Sequence, residues 1–169
     1  MKIILAAAAA IVLVGVVLAA SAKLDTPAKS ETVNRIVDAP RETVWAALAD
    51  LDAYASWNPY ITEASGDLRE GSEIRLVLEP PGKESEDATM KVLTARFERK
   101  LRLEDRFGLP GIRDEELTFR VIKLTPHSVR LEQTVRMEGL LAPFADLGPA
   151  TEGLELMAQA LAQRVKDTP

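Results

Sequence analysis

Asp105 is the residue whose surroundings most invite chemistry. In the run Leu101, Leu103, Asp105, Phe107 a carboxylate takes a position whose alternate neighbours are all apolar. Such an acid either lines a cavity, where desolvation raises its pKa and suits it to acid–base work, or reaches water or an arginine such as Arg102 or Arg113. Gln133 interrupts the run Leu131, Gln133, Val135 in the same way and is a candidate for orienting a ligand's polar end. The only histidine, His127, follows Pro126 in a turn and reads as an exposed turn residue. One histidine and no cysteine exclude a thiolate nucleophile, a disulfide framework and a thiolate metal site, and the acids form no cluster with ligand spacing. No metal and no cofactor are therefore expected. There is no G-x-S-x-G elbow and no phosphate loop, so covalent catalysis lacks a nucleophile and base.

The aromatics are unevenly spent. Trp45, Tyr54, Trp57 and Tyr60, four of the eight, fall within sixteen residues of one another. All but Tyr60 belong to the segment 38–59, which reads as a strand end followed by two short helices. Pro40 suits a helix start, and Val44, Leu48 and Leu51 recur on one face while Arg41, Glu42 and Asp50 stay wet. This grouping places Trp57 and Tyr60 beside a groove or at its entrance.

The remaining elements must position these groups. Strand-type alternation begins at Glu31 and resumes after the helical segment, through Ile74, Leu76, Leu78, then 90–97, then 101–107, then Leu117, Phe119, Val121. Val129, Leu131, Gln133, Val135 and Met137 make the clearest alternation, with Arg130, Glu132, Thr134 and Arg136 outward. Glu84, Glu86 and Asp87 read as a solvated loop. Leu154, Met157, Ala158, Leu161, Ala162 and Val165 form the apolar stripe of a long last helix. A curved antiparallel meander has one apolar face, and this helix is the element sized to cover it. A helix laid across a strongly curved sheet leaves space at its ends, so a cavity is expected. The loop 107–112 is apolar for a turn, either folding back on the sheet or gating the cavity's mouth.

Residues 3–20 carry no charge and are followed by Ala20-Ser21-Ala22. At about 1.5 Å per residue a helix of that length spans about 27 Å, close to a bilayer core. Both a signal peptide cleaved near Ala22 and a retained anchor fit residues 1–22, with 23–30 as linker and one domain over 31–166. Either way the domain is expected to be exported, held on the membrane or released to the periplasm or medium. The net charge of −5, with no basic block, argues against nucleic-acid binding.

The element order, with the residues Ala39, Pro40, Val44, Trp45, Leu48, Asp50, Tyr54, Trp57 and Pro59, resembles the START-like superfamily (SRPBCC) and within it the polyketide cyclase/dehydrase and lipid-transport branch. Leu109-Pro110-Gly111 and Gly139-Leu140-Leu141 look similar to that branch as well. The resemblance spans 31–166. It implies an α+β helix-grip fold, a curved antiparallel sheet wrapped on the long C-terminal helix with two short helices after the first strand, enclosing an apolar cavity. Members often carry polar or aromatic groups where this chain has Leu117, Val135 and Met137, which shifts the expectation from acid–base chemistry toward carriage.

Together these readings predict non-catalytic binding of a hydrophobic small molecule or lipid under the last helix. The expected lining is Trp57, Tyr60, Leu76, Leu103, Asp105, Phe107, Leu117, Phe119, Gln133, Val135, Met137, Met157 and Leu161. Two alternatives stay open. One is a cyclase or dehydratase using Asp105 with Tyr60; the other is an interaction module whose core is filled and whose aromatic surface docks a protein. A continuous apolar cavity of about 300 Å³ favours a binding protein or an enzyme over a module.

Overall fold

The computed structural model describes residues 26–166. The expected signal or anchor, residues 1–22, lies outside the described residues. Seven strands form one antiparallel sheet in the order β1-β7-β6-β5-β4-β3-β2. They are β1 (Ala28–Val37), β2 (Ile61–Gly66), β3 (Glu73–Leu78), β4 (Glu86–Arg96), β5 (Lys100–Phe107), β6 (Arg113–Thr125) and β7 (Ser128–Glu138). Helix α1 (Arg41–Ala49) and a 3-10 helix (Leu51–Ser56) separate β1 from β2. A 3-10 turn (Ala142–Phe144) leads into the long helix α2 (Gly148–Arg164). This is the α+β helix-grip arrangement, with α2 packed across the inner face of the sheet.

Two boundaries differ from expectation. Residues 28–30, expected as linker, already pair with β7, Ala28 opposite Glu138. Glu86 and Asp87, expected in a loop, open β4, where backbone pairing with Leu78 and Val77 outweighs their low strand propensity. Pro149 falls in the first turn of α2, where it has no intrahelical N–H bond to lose.

Register shifts at Ile61/Glu63, Val92/Thr94 and Lys123/Thr125 bend the strands and let the sheet curl round α2. The inner face carries rows of cross-strand neighbours: Leu101, Phe119, Gln133; then Leu103, Leu117, Val135; then Asp105, Glu115, Met137. Two rows are apolar apart from one amide. The third, nearest the loop 108–112, contains two carboxylates, and it marks one end of the barrel-like sheet as different from the other. Among the described residues no helix is long and apolar enough to cross a membrane.

Candidate functional site

The third row opens into a recess at the N-terminal end of α2. Tyr60 reaches it through a short chain of backbone contacts. The buried Asn58 side chain accepts from the backbone N–H groups of Tyr60 and Ile61, both at 3.0 Å, and this turns the chain into β2. The Tyr60 carbonyl accepts from the Glu79 N–H at 2.8 Å, tying the turn to the end of β3. The Tyr60 ring then lies flat on α2 at Gly153, where a Cβ would stand 2.3 Å from a ring carbon. Any side chain there would displace the ring.

Leu78, Met137 and Leu147 make the apolar wall of this recess, about 240 Å³ in volume, and Tyr60 closes its base. Its polar side is built on β6. Arg113 Nη2 lies 3.2 Å from Glu115 Oε2 and 3.7 Å from Glu86 Oε1, so one guanidinium bridges two carboxylates. Burial pushes the Glu115 carboxyl above its ordinary value; the Arg113 guanidinium opposes this, while Glu86 and Asp105 add to it. Burial likewise pushes the Tyr60 phenol up, helped by the charges of Glu115 and Glu86. The recess therefore combines an apolar wall with a charged side to which Lys83, Glu84, Glu86 and Asp146 also contribute, and one acid, Glu115, pushed toward its neutral form.

The structure redistributes the residues expected to line a cavity. Tyr60 and Met137 line the recess. Leu76, Leu103, Leu117, Phe119, Gln133, Val135, Met157 and Leu161 are instead core, each 0–3 % exposed. The apolar ones belong to the buried cluster between the sheet and α2. The recess lined by Tyr60 and Met137 lies at the N-terminal end of α2. The Phe107 side chain lies outside the described residues.

Asp105 is half-buried and stands opposite Glu115 in the β5–β6 register. It is Glu115 that lines the recess. Neither expected arginine pairs with Asp105, because Arg102 bonds Glu116 and Arg113 bonds Glu115. Gln133 does not face a ligand; its Nε2 donates to the Leu154 carbonyl at 2.8 Å and ties β7 to α2, while Oε1 is buried without a partner among the described residues. The polar groups expected to be lost at Leu117, Val135 and Met137 are thus offset by Glu115 and Arg113, which sequence reasoning missed. Glu115 sits two residues before Leu117 on the same face, so the alternation carried that signal.

Trp57 and Tyr60 do not share an entrance. Trp57 packs edge-on to Tyr54, with ring centroids 5.2 Å apart, and beneath the Arg164 guanidinium at 5.8 Å. Arg164 is the last residue of α2, whereas Gly153 under Tyr60 lies eleven residues earlier, about 16 Å along the axis. Trp45 touches Phe97 in the β4–β5 turn, and Asp50 lies 3.7 Å from Arg164. The segment 38–59 consequently closes the end of the sheet opposite the recess. Among the described residues no group of acids and histidine gathers as a metal would require.

Residues 29–168 match the protein family described as polyketide cyclase / dehydrase and lipid transport. Among solved structures, a START superfamily protein from Mycobacterium smegmatis is 27% identical, with a TM-score of 0.64 over 84% of this chain and 99% of that one. Major latex-like protein 151 from Panax ginseng shares the fold at 10% identity, TM-score 0.69, covering 84% of this chain and 99% of its own. The Zhui aromatase/cyclase from Streptomyces sp. R1128 does so at 18% identity, TM-score 0.57, over 83% and 94%. No curated protein sequence matches the chain significantly.

Proposed function

The chain belongs to the polyketide cyclase / dehydrase and lipid transport family, and from that premise we propose that its recess binds one small amphipathic molecule without changing it chemically. The observation that carries this reading is the recess itself, an apolar wall of Leu78, Met137 and Leu147 facing the Tyr60, Glu115 and Arg113 side chains. At about 30 Å³ per water, 240 Å³ equals about eight water volumes. That admits one ring with a short substituent, or the end of a single chain, and leaves the bulk of a two-chain lipid outside. Burying about 200 Å² of such a ligand yields about 5 kcal/mol gross at about 25 cal/mol per Å², before association costs. Apolar contact alone gives weak binding, so a hydrogen-bonding group on the ligand that meets Glu115 or Arg113 sets the affinity.

A second reading has its own support. A buried carboxyl shifted toward neutrality beside a tyrosine is an arrangement suited to proton transfer, as a ring closure or dehydration would need. It replaces Asp105 by Glu115 as the acid. An interaction module would have no use for the recess. The uncharged run 3–20 supports export of the domain, as a cleaved signal or a retained anchor.

The test is a panel of hydroxylated single-ring aromatics and short-chain amphiphiles, followed by ligand-observed NMR and by product analysis. Met137→Trp fills the recess and should abolish binding while the circular dichroism spectrum stays that of the wild type. Binding that survives Met137→Trp places the ligand elsewhere. Product formed by the wild type but not by Glu115→Gln, with binding kept in both, replaces carriage by catalysis.

A further inference from the structure

The end of the sheet that carries the recess also carries exposed apolar side chains. Leu109 is 73 % exposed, Leu140 67 %, Leu141 46 % and Phe144 84 %. They ride on two loops, 108–112 and 139–145, that are joined backbone to backbone. Leu140 N donates to Gly111 O at 3.0 Å and Leu141 N to Ile112 O at 3.1 Å. Gly139, at φ +114°, allows this approach, since a Cβ there would stand 2.5 Å from the Ile112 carbonyl oxygen. The 3-10 turn holds Phe144 on the same loop through its N–H to Leu141 O at 3.0 Å. Loops that present four large apolar side chains to water lack the charged side chains that usually blunt such a surface.

The chain itself says what lies nearby. Gly139 N donates to Pro27 O at 3.0 Å, so the polypeptide arrives at β1 directly beside Leu140. Residues 3–20, eighteen without a charge, precede Pro27 by seven positions. At most about 3.6 Å per residue separates them, roughly 25 Å. Any bilayer that takes up that segment is within reach of the patch. Most charged side chains around the patch have partners: Arg136 pairs with Glu138, Arg113 with Glu115 and Glu86, and Asp114 accepts from the Gly111 N–H at 3.0 Å; Lys29 donates to the Ala145 carbonyl at 2.8 Å. Among the described residues the loops 108–112 and 139–145 carry no basic side chain, and Lys29 is the one lysine bonded to them.

We propose that Leu109, Leu140, Leu141 and Phe144 form a docking face for the surface of a lipid bilayer, into which they insert by apolar contact. The face goes beyond the ligand-binding reading and stands without it. Together they give a consequence: the recess, flanked by Arg113, Met137 and Leu147, opens at the end that meets the lipid. Because attraction is apolar, neutral phosphatidylcholine suffices and added salt leaves docking unchanged.

The native chain has no cysteine, so single cysteines can be labelled cleanly. The full chain, reconstituted in phosphatidylcholine vesicles, carries an environment-sensitive fluorophore in turn at Leu109→Cys, Phe144→Cys and Phe97→Cys. Phe97 is 73 % exposed in the β4–β5 turn, about 25 Å from the patch by the rise of β5. The expected result is a blue-shifted emission at positions 109 and 144 that lipid-borne nitroxides quench, with position 97 neither shifted nor quenched. Adding Leu140→Asp and Leu141→Asp should return the label at 144 to the emission seen at 97, while co-sedimentation with vesicles persists through residues 3–20. Labels at 109 and 144 that lipid nitroxides fail to quench overturn the proposal, whether water, a second copy or the chain's own N-terminal segment covers them. Equal quenching at 97 overturns it too, since the insertion is then not confined to this face.

Discussion

Replacing Gly153 by alanine sets two effects of known sign against each other. A mid-helix glycine costs about 1 kcal/mol relative to alanine, so on propensity alone the substitution stabilises α2. The new methyl would lie 2.3 Å from Tyr60 Cδ2 and 2.7 Å from Cγ and Cε2. Carbon atoms in contact sit about 3.5–4.0 Å apart, so the ring must retreat by at least about 1 Å. It is not the free end of a flexible chain. The Tyr60 backbone is held by Asn58 on one side and Glu79 on the other, and the residue is 1 % exposed. Overpacking of this kind costs about 1–3 kcal/mol, which outweighs the propensity gain and leaves a net loss of about 0–2 kcal/mol. At about 3–5 °C per kcal/mol for a domain of this size, thermal unfolding should come up to about 10 °C lower. Tyr60 lines the recess, so a ring that retreats into it should lower ligand binding further than stability. Differential scanning fluorimetry with and without ligand measures both. A Gly153→Ala protein that melts higher than the wild type and binds unchanged would refute the packing argument, because propensity would then have won.

Glu115 supplies a pH test. Its carboxyl is raised in the folded state, so the fold binds a proton more readily than the unfolded chain, and stability must fall as pH rises from the ordinary glutamate value through the raised one. Glu115→Gln removes that dependence, so the variant should be more stable than the wild type at neutral pH and show a flatter stability curve across that window in urea titrations. A variant less stable at neutral pH would mean that the Arg113 pair outweighs burial. At Gln133, leucine removes one hydrogen bond worth about 1 kcal/mol but also a buried unpaired carbonyl oxygen costing about 1–3, so Gln133→Leu should be neutral or stabilising by up to about 2 kcal/mol. Gln133→Ala should lose about 2–4 kcal/mol to the cavity it leaves, and equal losses in the two variants, read from urea midpoints, would show that the orphaned oxygen has a partner.

The strands and the last helix were legible because their apolar periods are long and clean. Leu131, Gln133, Val135 and Met137 alternate without error over β7, and Leu154 to Leu161 keep one stripe on α2. The inward orientation of the Asp105 row was legible in the same way. What alternation cannot report is which inward acid stands at an opening. Asp105 and Glu115 face each other across β5 and β6, yet only Glu115 lines the recess, because Tyr60, Met137 and the start of α2 converge on it from three other elements. The extent of open space is beyond alternation for a similar reason. Side-chain type shows that Phe119, Met157 and Leu161 belong inside, but whether they meet or leave a gap depends on the distance between α2 and the sheet.

The aromatic-rich segment divides these two kinds of knowledge most sharply. By itself the sequence determined that residues 38–59 fold as a helix pair with Val44, Trp45 and Leu48 inward, and that the chain is a helix-grip protein. The helix pair follows from local period and from the residues at each turn, and the helix-grip fold from the resemblance to the START-like superfamily. Only the tertiary structure decided that Trp57 sits under Arg164 at one end of α2 while Tyr60 sits against Gly153 near the other. The turn at Asn58, held by its side chain on the Tyr60 and Ile61 N–H groups, carries these neighbours in sequence to different parts of α2. The direction of that turn is set by the helix it packs against, and no spacing in the sequence encodes it.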